Sequence, residues 1–141
     1  MSLYSTFKTD GNLEKDGIEL EYGFLNEDPT KPIRIRIARS GGSNLRFAKI
    51  LEAKTKPHRR SIQTETIDKK LSEQLFKEVY AESVILGWSN VQDENGVDLE
   101  FSRDNVIKVL TDLPDLWADI REQSNKAALF RQDVLETDAG N

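Results

Sequence analysis

The sequence predicts a single α+β domain in which an N-terminal antiparallel hairpin packs with about four C-terminal α-helices. Apolar and charged residues alternate in two consecutive runs, IELEY at 18–22 and IRIRIAR at 33–39, and apolar residues recur with a helical period after residue 43. Strands followed by helices are typical of α+β domains. At 141 residues the chain has the length of one domain, and we expect 1–40 to be mainly β and 43–136 mainly α.

The two alternating runs predict strands that share one apolar face. Paired antiparallel, they would bring Glu19 and Glu21 opposite Arg34 and Arg36, and such pairs help to fix the strand register. The segment between the runs contains two prolines and is predicted to be a surface loop. We also expect an earlier strand at Tyr4–Thr9, followed by a turn at 10–12.

Helix signals begin after Gly42. Ser43 or Asn44 can cap a helix through LRFAKILEAK, which Pro57 would break or kink. A longer helix is predicted from a cap at Thr66 to Gly87. Its apolar stripe comprises Leu71, Leu75, Val79 and Leu86, flanked by Phe76, Tyr80 and Val84.

Two further helices are predicted after a turn at Asn95-Gly96. One begins at Ser102, and the other begins at Pro114, since proline is favoured at the first position of a helix. The broad apolar face of the last helix comprises Leu116, Trp117, Ile120, Ala127, Phe130 and Val134.

Charge is distributed unevenly. Residues 31–60 contain ten basic side chains and one acidic side chain, whereas the chain as a whole carries a net charge of −5. This basic segment could bind nucleic acid through Arg34, Arg36, Arg59 and Arg60, since phosphate binding needs clustered cations. Alternatively, acidic flanking segments neutralise it, and the overall acidity favours this second interpretation.

The sequence offers little for catalysis, metal binding or cofactor binding, and we expect no site of these kinds. It has no cysteine, and its one histidine, His58, lies between a proline and an arginine in a predicted loop. The segment DENGVDLE resembles a calcium loop but lacks ligands at both ends of the motif, so a turn explains it better. The segment SGGSN could hold an anion on backbone amides or simply form a turn before a helix.

The sequence does contain extensive apolar surface near its C-terminal end. Leu116, Trp117, Ile120 and Phe130 could bind a partner, or they could pack on the sheet and the long helix of the same chain. The longest uninterrupted aliphatic run has three residues, Val84 to Leu86, so no membrane span is predicted.

Several motifs, taken in order, resemble the tail assembly chaperones of long-tailed bacteriophages and their prophage relatives. They are the pair Gly87-Trp88, the turn Asn95-Gly96, LTDLPDLW at 110–117 and NKAALF at 125–130. The resemblance extends from about Ala38 to the C-terminus, and it implies a compact α+β fold with a helical C-terminal half.

The resemblance implies a non-enzymatic protein in the cytoplasm of the bacterial host, absent from the mature virion. The expected partners are the tape measure protein, a long and mostly helical chain that sets tail length, and the major tail tube protein. A homo-oligomer and a longer frameshifted form are also implied. Nucleic-acid binding through residues 31–60 stays the alternative.

Overall fold

A computed structural model describes residues 2–131, in which a three-stranded sheet lies against a group of helices. The strands are β1 Ile18–Phe24, β2 Pro32–Ile37 and β3 Ile85–Ser89. The helices are α1 Leu3–Phe7, α2 Gly11–Asp16, α3 Leu45–Thr55, α4 Arg59–Gln63, α5 Lys69–Ser83, α6 Arg103–Asp112 and α7 Pro114–Asn125. The predicted α+β class is confirmed.

The sheet is antiparallel with the order β1-β2-β3, and the predicted hairpin forms its first two strands. Its register places Glu19 opposite Arg36 and Glu21 opposite Arg34. The Arg36 guanidinium lies 3.2 Å from the Glu19 carboxylate, and Arg34 Nε lies 3.7 Å from both glutamates. The alternating charges therefore pair across the strands on one face of the sheet, as the sequence predicts.

The opposite face of the sheet forms the core with α5, α6 and α7. Tyr80 of α5 contacts Trp117 of α7 edge to face, with 4.9 Å between the ring centroids. Such aromatic pairs stabilise a core beyond the area that they bury. The buried core residues that share this cluster are Ile18, Ile35, Ile37, Tyr80, Ala81, Val84, Ile85, Val106, Leu110, Trp117, Ile120 and Phe130.

The predicted strand at Tyr4–Thr9 was wrong, because this segment forms α1 and the linker that follows it. Ser2 and Ser5 bond reciprocally in a capping box, and the Asp10 side chain accepts from Asn12 N at 2.8 Å to begin α2. Side-chain caps satisfy backbone N–H groups at a helix start and so outweigh a weak strand preference. The predicted turn at 10–12 is accordingly the first turn of α2.

The long helix is shorter than predicted at both ends. Asp68, rather than Thr66, caps it, and α5 ends at Ser83. Ile85 to Ser89 then pair with β2 as the third strand, with Trp88 opposite Ile35. The β-branched Ile85 and the aromatic Trp88 suit this strand, because such side chains pack well on a pleated surface.

The remaining helices follow the sequence signals closely. Pro57 lies in a 3₁₀ turn after α3, the Ser102 hydroxyl caps α6, and α7 begins at Pro114. The predicted side-chain cap of α3 is absent: Asn44 precedes the helix, but its amide donates to the Arg39 and Ser83 carbonyls instead. The last predicted helix is broken after Asn125, and Ala127–Phe130 form a 3₁₀ turn, while Val134 lies outside the described residues. No helix in the described residues combines the length and apolarity that a membrane crossing requires.

Candidate functional site

The structure buries three of the four residues predicted to bind a partner. Trp117 is 7% exposed, and both Ile120 and Phe130 are fully buried in the core. Leu116 alone is half-buried, at the edge of that core. For Trp117, Ile120 and Phe130 the structure thus favours the interpretation in which they pack within the chain.

Leu116 instead lines an open groove beside the core, with a volume of about 810 Å³. One wall is the end of the β1–β2 hairpin, the second is the loop at 90–99, and the third runs from the end of α6 into the start of α7. The apolar side chains that line the groove are Leu25, Ile33, Ile35, Val91, Leu99, Val109, Leu113 and Leu116. Leu113 is 52% exposed, so an apolar side chain is available there to a partner.

Hydrogen bonds hold two of the groove walls in place. The Tyr22 hydroxyl donates to Asp119 at 2.6 Å and so ties β1 to α7. Burial and this bond to Asp119 raise the pKa of Tyr22, while the same bond lowers the pKa of Asp119. In the loop, Trp88 Nε1 donates to the Leu99 carbonyl at 2.9 Å, which holds the loop beside β3. The groove therefore has an ordered shape before any partner binds.

The polar rim of the groove is mostly acidic. Asp93, Glu94 and Asp112 contribute carboxylates, and Lys108 Nζ lies 2.8 Å from Asp112. The hydrogen bond to Asp112 and the nearby carboxylates raise the pKa of Lys108. With three carboxylates and one ammonium group, the rim carries a net negative charge and favours a cationic partner.

The turn at Asn95-Gly96, predicted from the sequence, forms the outer part of this loop. The Asp93 carboxylate accepts from Asn95 N at 2.8 Å and from Val97 N at 2.9 Å, so it stabilises a turn. Gln92 pairs with Asp98 across it. In the described residues, no group of three or more histidine, aspartate or glutamate side chains is placed to hold a metal ion.

Acidic side chains of the flanking segments pair with four of the ten basic residues in segment 31–60, namely Arg34, Arg36, Arg39 and Lys54, and for these four the second interpretation of the charge is supported. Arg34 and Arg36 pair with β1, and Lys54 lies between Glu78 and Glu82 of α5, 2.9 Å from the latter. Arg59 and Arg60 differ, because both are exposed and neither makes an ion pair with any residue from 2 to 131. They lie on α4, whereas Arg34 and Arg36 lie on β2 and already pair with the glutamates of β1.

The segment SGGSN does hold an anion, but the anion is the chain's own Glu14 carboxylate. Glu14 is 3% exposed, and Arg39 Nη1 donates to it. Burial tends to raise the pKa of Glu14, yet hydrogen bonds from Arg39 and Ser43 outweigh it and lower that pKa. At Gly42, where φ is +53°, a Cβ would overlap the Glu14 carboxylate, so a glycine is required there.

His58 ends the 3₁₀ turn that contains Pro57 and is half-buried. Its backbone carbonyl accepts from the Ser61 hydroxyl at 2.9 Å. This contact stabilises the turn into α4, and no hydrogen bond joins the His58 imidazole to a serine or a carboxylate in the described residues.

Sequence reasoning missed the groove, although it identified Leu116 as apolar surface. Three of the groove's other apolar residues, Leu25, Val91 and Leu99, lie in turns or loops where single apolar side chains carry no periodic signal. One local signal did exist, since Leu113 directly precedes Pro114 and so marks the junction of α6 and α7. Its N–H donates to the Val109 carbonyl, and its carbonyl accepts from Trp117 N.

A comparison with protein families shows which family this chain is similar to. The family model for the YdaY prophage protein matches residues 42–141, from the glycine that contacts Glu14 through the groove-forming helices to the end of the chain. No curated protein and no solved structure matches the chain.

Proposed function

This chain belongs to the family of YdaY prophage proteins, and we propose that it acts as a tail assembly chaperone. In this role it binds the tape measure protein, keeps that long helical chain soluble, and helps to recruit tail tube subunits around it. The resemblance of residues 38–141 to such chaperones supports the role. We propose a binding protein without catalysis or cofactor, working in the cytoplasm of the host and absent from the finished virion.

The groove is the observation that carries this proposal. Amphipathic helices bind proteins by placing one apolar face in a groove, through anchors spaced three or four residues apart. Leu113 and Leu116, three residues apart at the start of α7, present such a surface on the chaperone side, and Ile33 lies on the opposite wall. A mostly helical tape measure protein offers many segments of this kind.

The exposure and charge of the groove suit temporary binding. An interface centred on one groove is small, and small interfaces are typical of transient complexes. The acidic rim formed by Asp93, Glu94 and Asp112 would favour segments with lysine or arginine beside their apolar face. Such a complex can dissociate when tube subunits polymerise on the tape measure protein.

Co-expression with the tape measure protein encoded by the same prophage tests the proposal. We expect a soluble complex on size-exclusion chromatography with light scattering, and loss of that complex for Leu113→Asp, which places a carboxylate at the groove wall. The matched control is Leu45→Asp, since Leu45 is also a highly exposed leucine, on α3. Equal tape measure solubility with the wild-type chain, with Leu113→Asp and with no chaperone at all would refute the proposal.

Nucleic-acid binding is the second candidate, and the exposed Arg59 and Arg60 on α4 favour it. Binding through phosphate contacts would give a duplex affinity that falls steeply with salt. The double variant Arg59→Gln/Arg60→Gln should then reduce that affinity, whereas Arg34→Gln, at a residue already paired with Glu19 and Glu21, should change it little. A wild-type chain that binds no duplex at low salt would eliminate this candidate.

A further inference from the structure

The first helix turns its apolar side outward, whereas a surface helix normally packs that side against the core. Leu3, Tyr4 and Phe7 recur at helical spacing on one side of α1 and are 76%, 82% and 67% exposed. Thr6 is the one residue of α1 that is half-buried. Adjacent exposed apolar side chains of this size mark an interaction surface, and we call Leu3, Tyr4 and Phe7 the α1 face.

An open cleft with a volume of about 830 Å³ lies beside this face. It is lined by residues from Tyr4 on α1 to Gly11 at the start of α2, with Lys8 between them. Asp10, which also lines the cleft, donates from its backbone N to the Phe130 carbonyl at 2.7 Å. The chain that follows Phe130 therefore starts at the α2 end of the cleft.

Ten residues follow Arg131 in the sequence, QDVLETDAGN, and we call them the tail. Val134 and Leu135 are its two residues with large apolar side chains. Val134 follows Phe130 by four residues, and four extended residues span about 14 Å. Phe7 precedes Asp10 by three residues, which places it within about 11 Å of the same point. The apolar pair of the tail can thus reach the α1 face of its own chain.

The charges along this path are complementary. The tail contains three carboxylates, Asp133, Glu136 and Asp138, and no lysine or arginine, whereas Lys8 lines the cleft. Arg131 Nε is buried and has no hydrogen-bond partner within the part of the chain that the structure describes. A buried donor without a partner costs free energy, so a carboxylate of the tail beside Arg131 would stabilise the chain.

We propose that the tail packs on the α1 face of the same chain, with Val134 and Leu135 against the apolar side chains and the carboxylates toward Lys8 and Arg131. The contact covers an apolar surface that would otherwise be open to unrelated proteins. It also joins the two ends of the described domain through one cluster of side chains.

The groove beside α7 fits the tail less well, because its rim carries the same sign of charge. Asp93, Glu94 and Asp112 would repel the three carboxylates of the tail. The tail and a tape measure segment therefore use different surfaces in the two proposals. Either proposal can fail while the other stands.

Nuclear magnetic resonance of the full chain tests the contact directly. With methyl groups of valine and leucine labelled with ¹³C, we expect nuclear Overhauser cross-peaks between Val134 or Leu135 methyls and the rings of Tyr4 or Phe7. A second sample mixes methyl-labelled, otherwise deuterated copies with unlabelled copies, so that any such cross-peak must join two copies. We expect none in this sample, because the contact lies within one chain.

Substitutions in the full chain give an independent readout. Val134→Ser/Leu135→Ser should shift the ring resonances of Tyr4 and Phe7 and raise the fluorescence of the hydrophobic dye ANS, since it uncovers the α1 face. Val97→Ser is the matched control, because Val97 is an exposed valine in the loop at 90–99, and it should do neither.

The charge contribution is tested by Lys8→Glu, which should shift the same ring resonances by repelling the tail. Lys15→Glu, at an exposed lysine on α2, is its control and should leave them in place. Far-ultraviolet circular dichroism establishes that each variant is folded.

Cross-peaks within one copy, together with the shifts in the tail variant, would support the proposal. A fully labelled chain without these cross-peaks would overturn it, whatever the variants do. Cross-peaks that arise only between copies would overturn it too, by assigning the α1 face to a neighbouring chain. Ring resonances and dye fluorescence that stay unchanged in a folded tail variant would also contradict it.

Discussion

Replacing Glu14 by glutamine should weaken the fold substantially while preserving side-chain shape. The change removes the negative charge that faces Arg39 and Ser43 in a site where Glu14 is 3% exposed. Removing one partner of a fully buried ion pair costs about 3–5 kcal/mol. Because the Arg39 side chain is 24% exposed, water can solvate part of its charge. We therefore expect a loss of about 2 kcal/mol in the free energy of unfolding at pH 7.

The pH dependence identifies the charge as the cause. The pKa of Glu14 is lowered below its ordinary value of 4.5 in the folded state. A lowered folded-state pKa stabilises the protein above the unfolded-state pKa, and this stabilisation is lost as pH falls through the folded value. The difference in stability between the wild-type chain and Glu14→Gln should therefore be constant near neutral pH. It should narrow progressively in acid below about 4.5.

Urea unfolding followed by the fluorescence of Trp88 and Trp117 measures this difference. The control is Glu19→Gln, because Glu19 is 42% exposed and its pairs with Arg34 and Arg36 lie on the open face of the sheet. Exposed pairs contribute about 0.2–1 kcal/mol, so the control should lose less than half as much stability. Equal losses for the two variants, or a Glu14→Gln difference that is undiminished in strong acid, would refute the reasoning.

Two further substitutions test the contacts that shape the site. Gly42→Ala should lower the free energy of unfolding by about 1–3 kcal/mol in urea titration, because φ is +53° and the new Cβ would displace Glu14. Gly23→Ala is the control, because Gly23 also has a positive φ, +87°, but has open space around it. The difference between the two losses measures the clash with Glu14 apart from the backbone strain. Tyr22→Phe should cost about 1.5 kcal/mol at pH 7, since it removes the bond to Asp119. Because the folded-state pKa of Tyr22 is raised, its contribution should be present below pH 10 and be lost in stronger alkali, and a Tyr4→Phe control at an exposed position should show no such loss.

The hairpin was predictable because the alternation of residues and the pairing of charges both indicate the same strands and the same register. The alternation of apolar and charged residues specifies two half-buried strands, and a register slip of one residue would turn the apolar set toward water. The opposite charges then select the observed pairing of Glu19 with Arg36 and Glu21 with Arg34. The start of α7 was predictable for a similar reason, since proline is favoured at the first position of a helix and Pro114 precedes an apolar helical pattern.

The third strand was not predictable from local pattern. Val84, Ile85 and Leu86 continue the spacing of the preceding helix, and a short apolar run is compatible with either a strand or a helix. The segment from Ile85 to Ser89 becomes a strand because the free edge of β2 pairs with it. This information comes from residues about fifty positions away, so a local pattern cannot contain it.

The site itself was predictable only in part. The helical spacing placed Leu116, Trp117, Ile120 and Phe130 on one apolar face, but it did not show which of them become buried in the folded chain. In the folded chain, Leu116 is the one left half-buried at the groove, because it lies toward the loop at 90–99 rather than toward α5. The groove is made by three segments that are separate in the sequence, so its position depends on the tertiary structure. Apolar periodicity indicates only that one face of a helix is buried, not which segments pack against it.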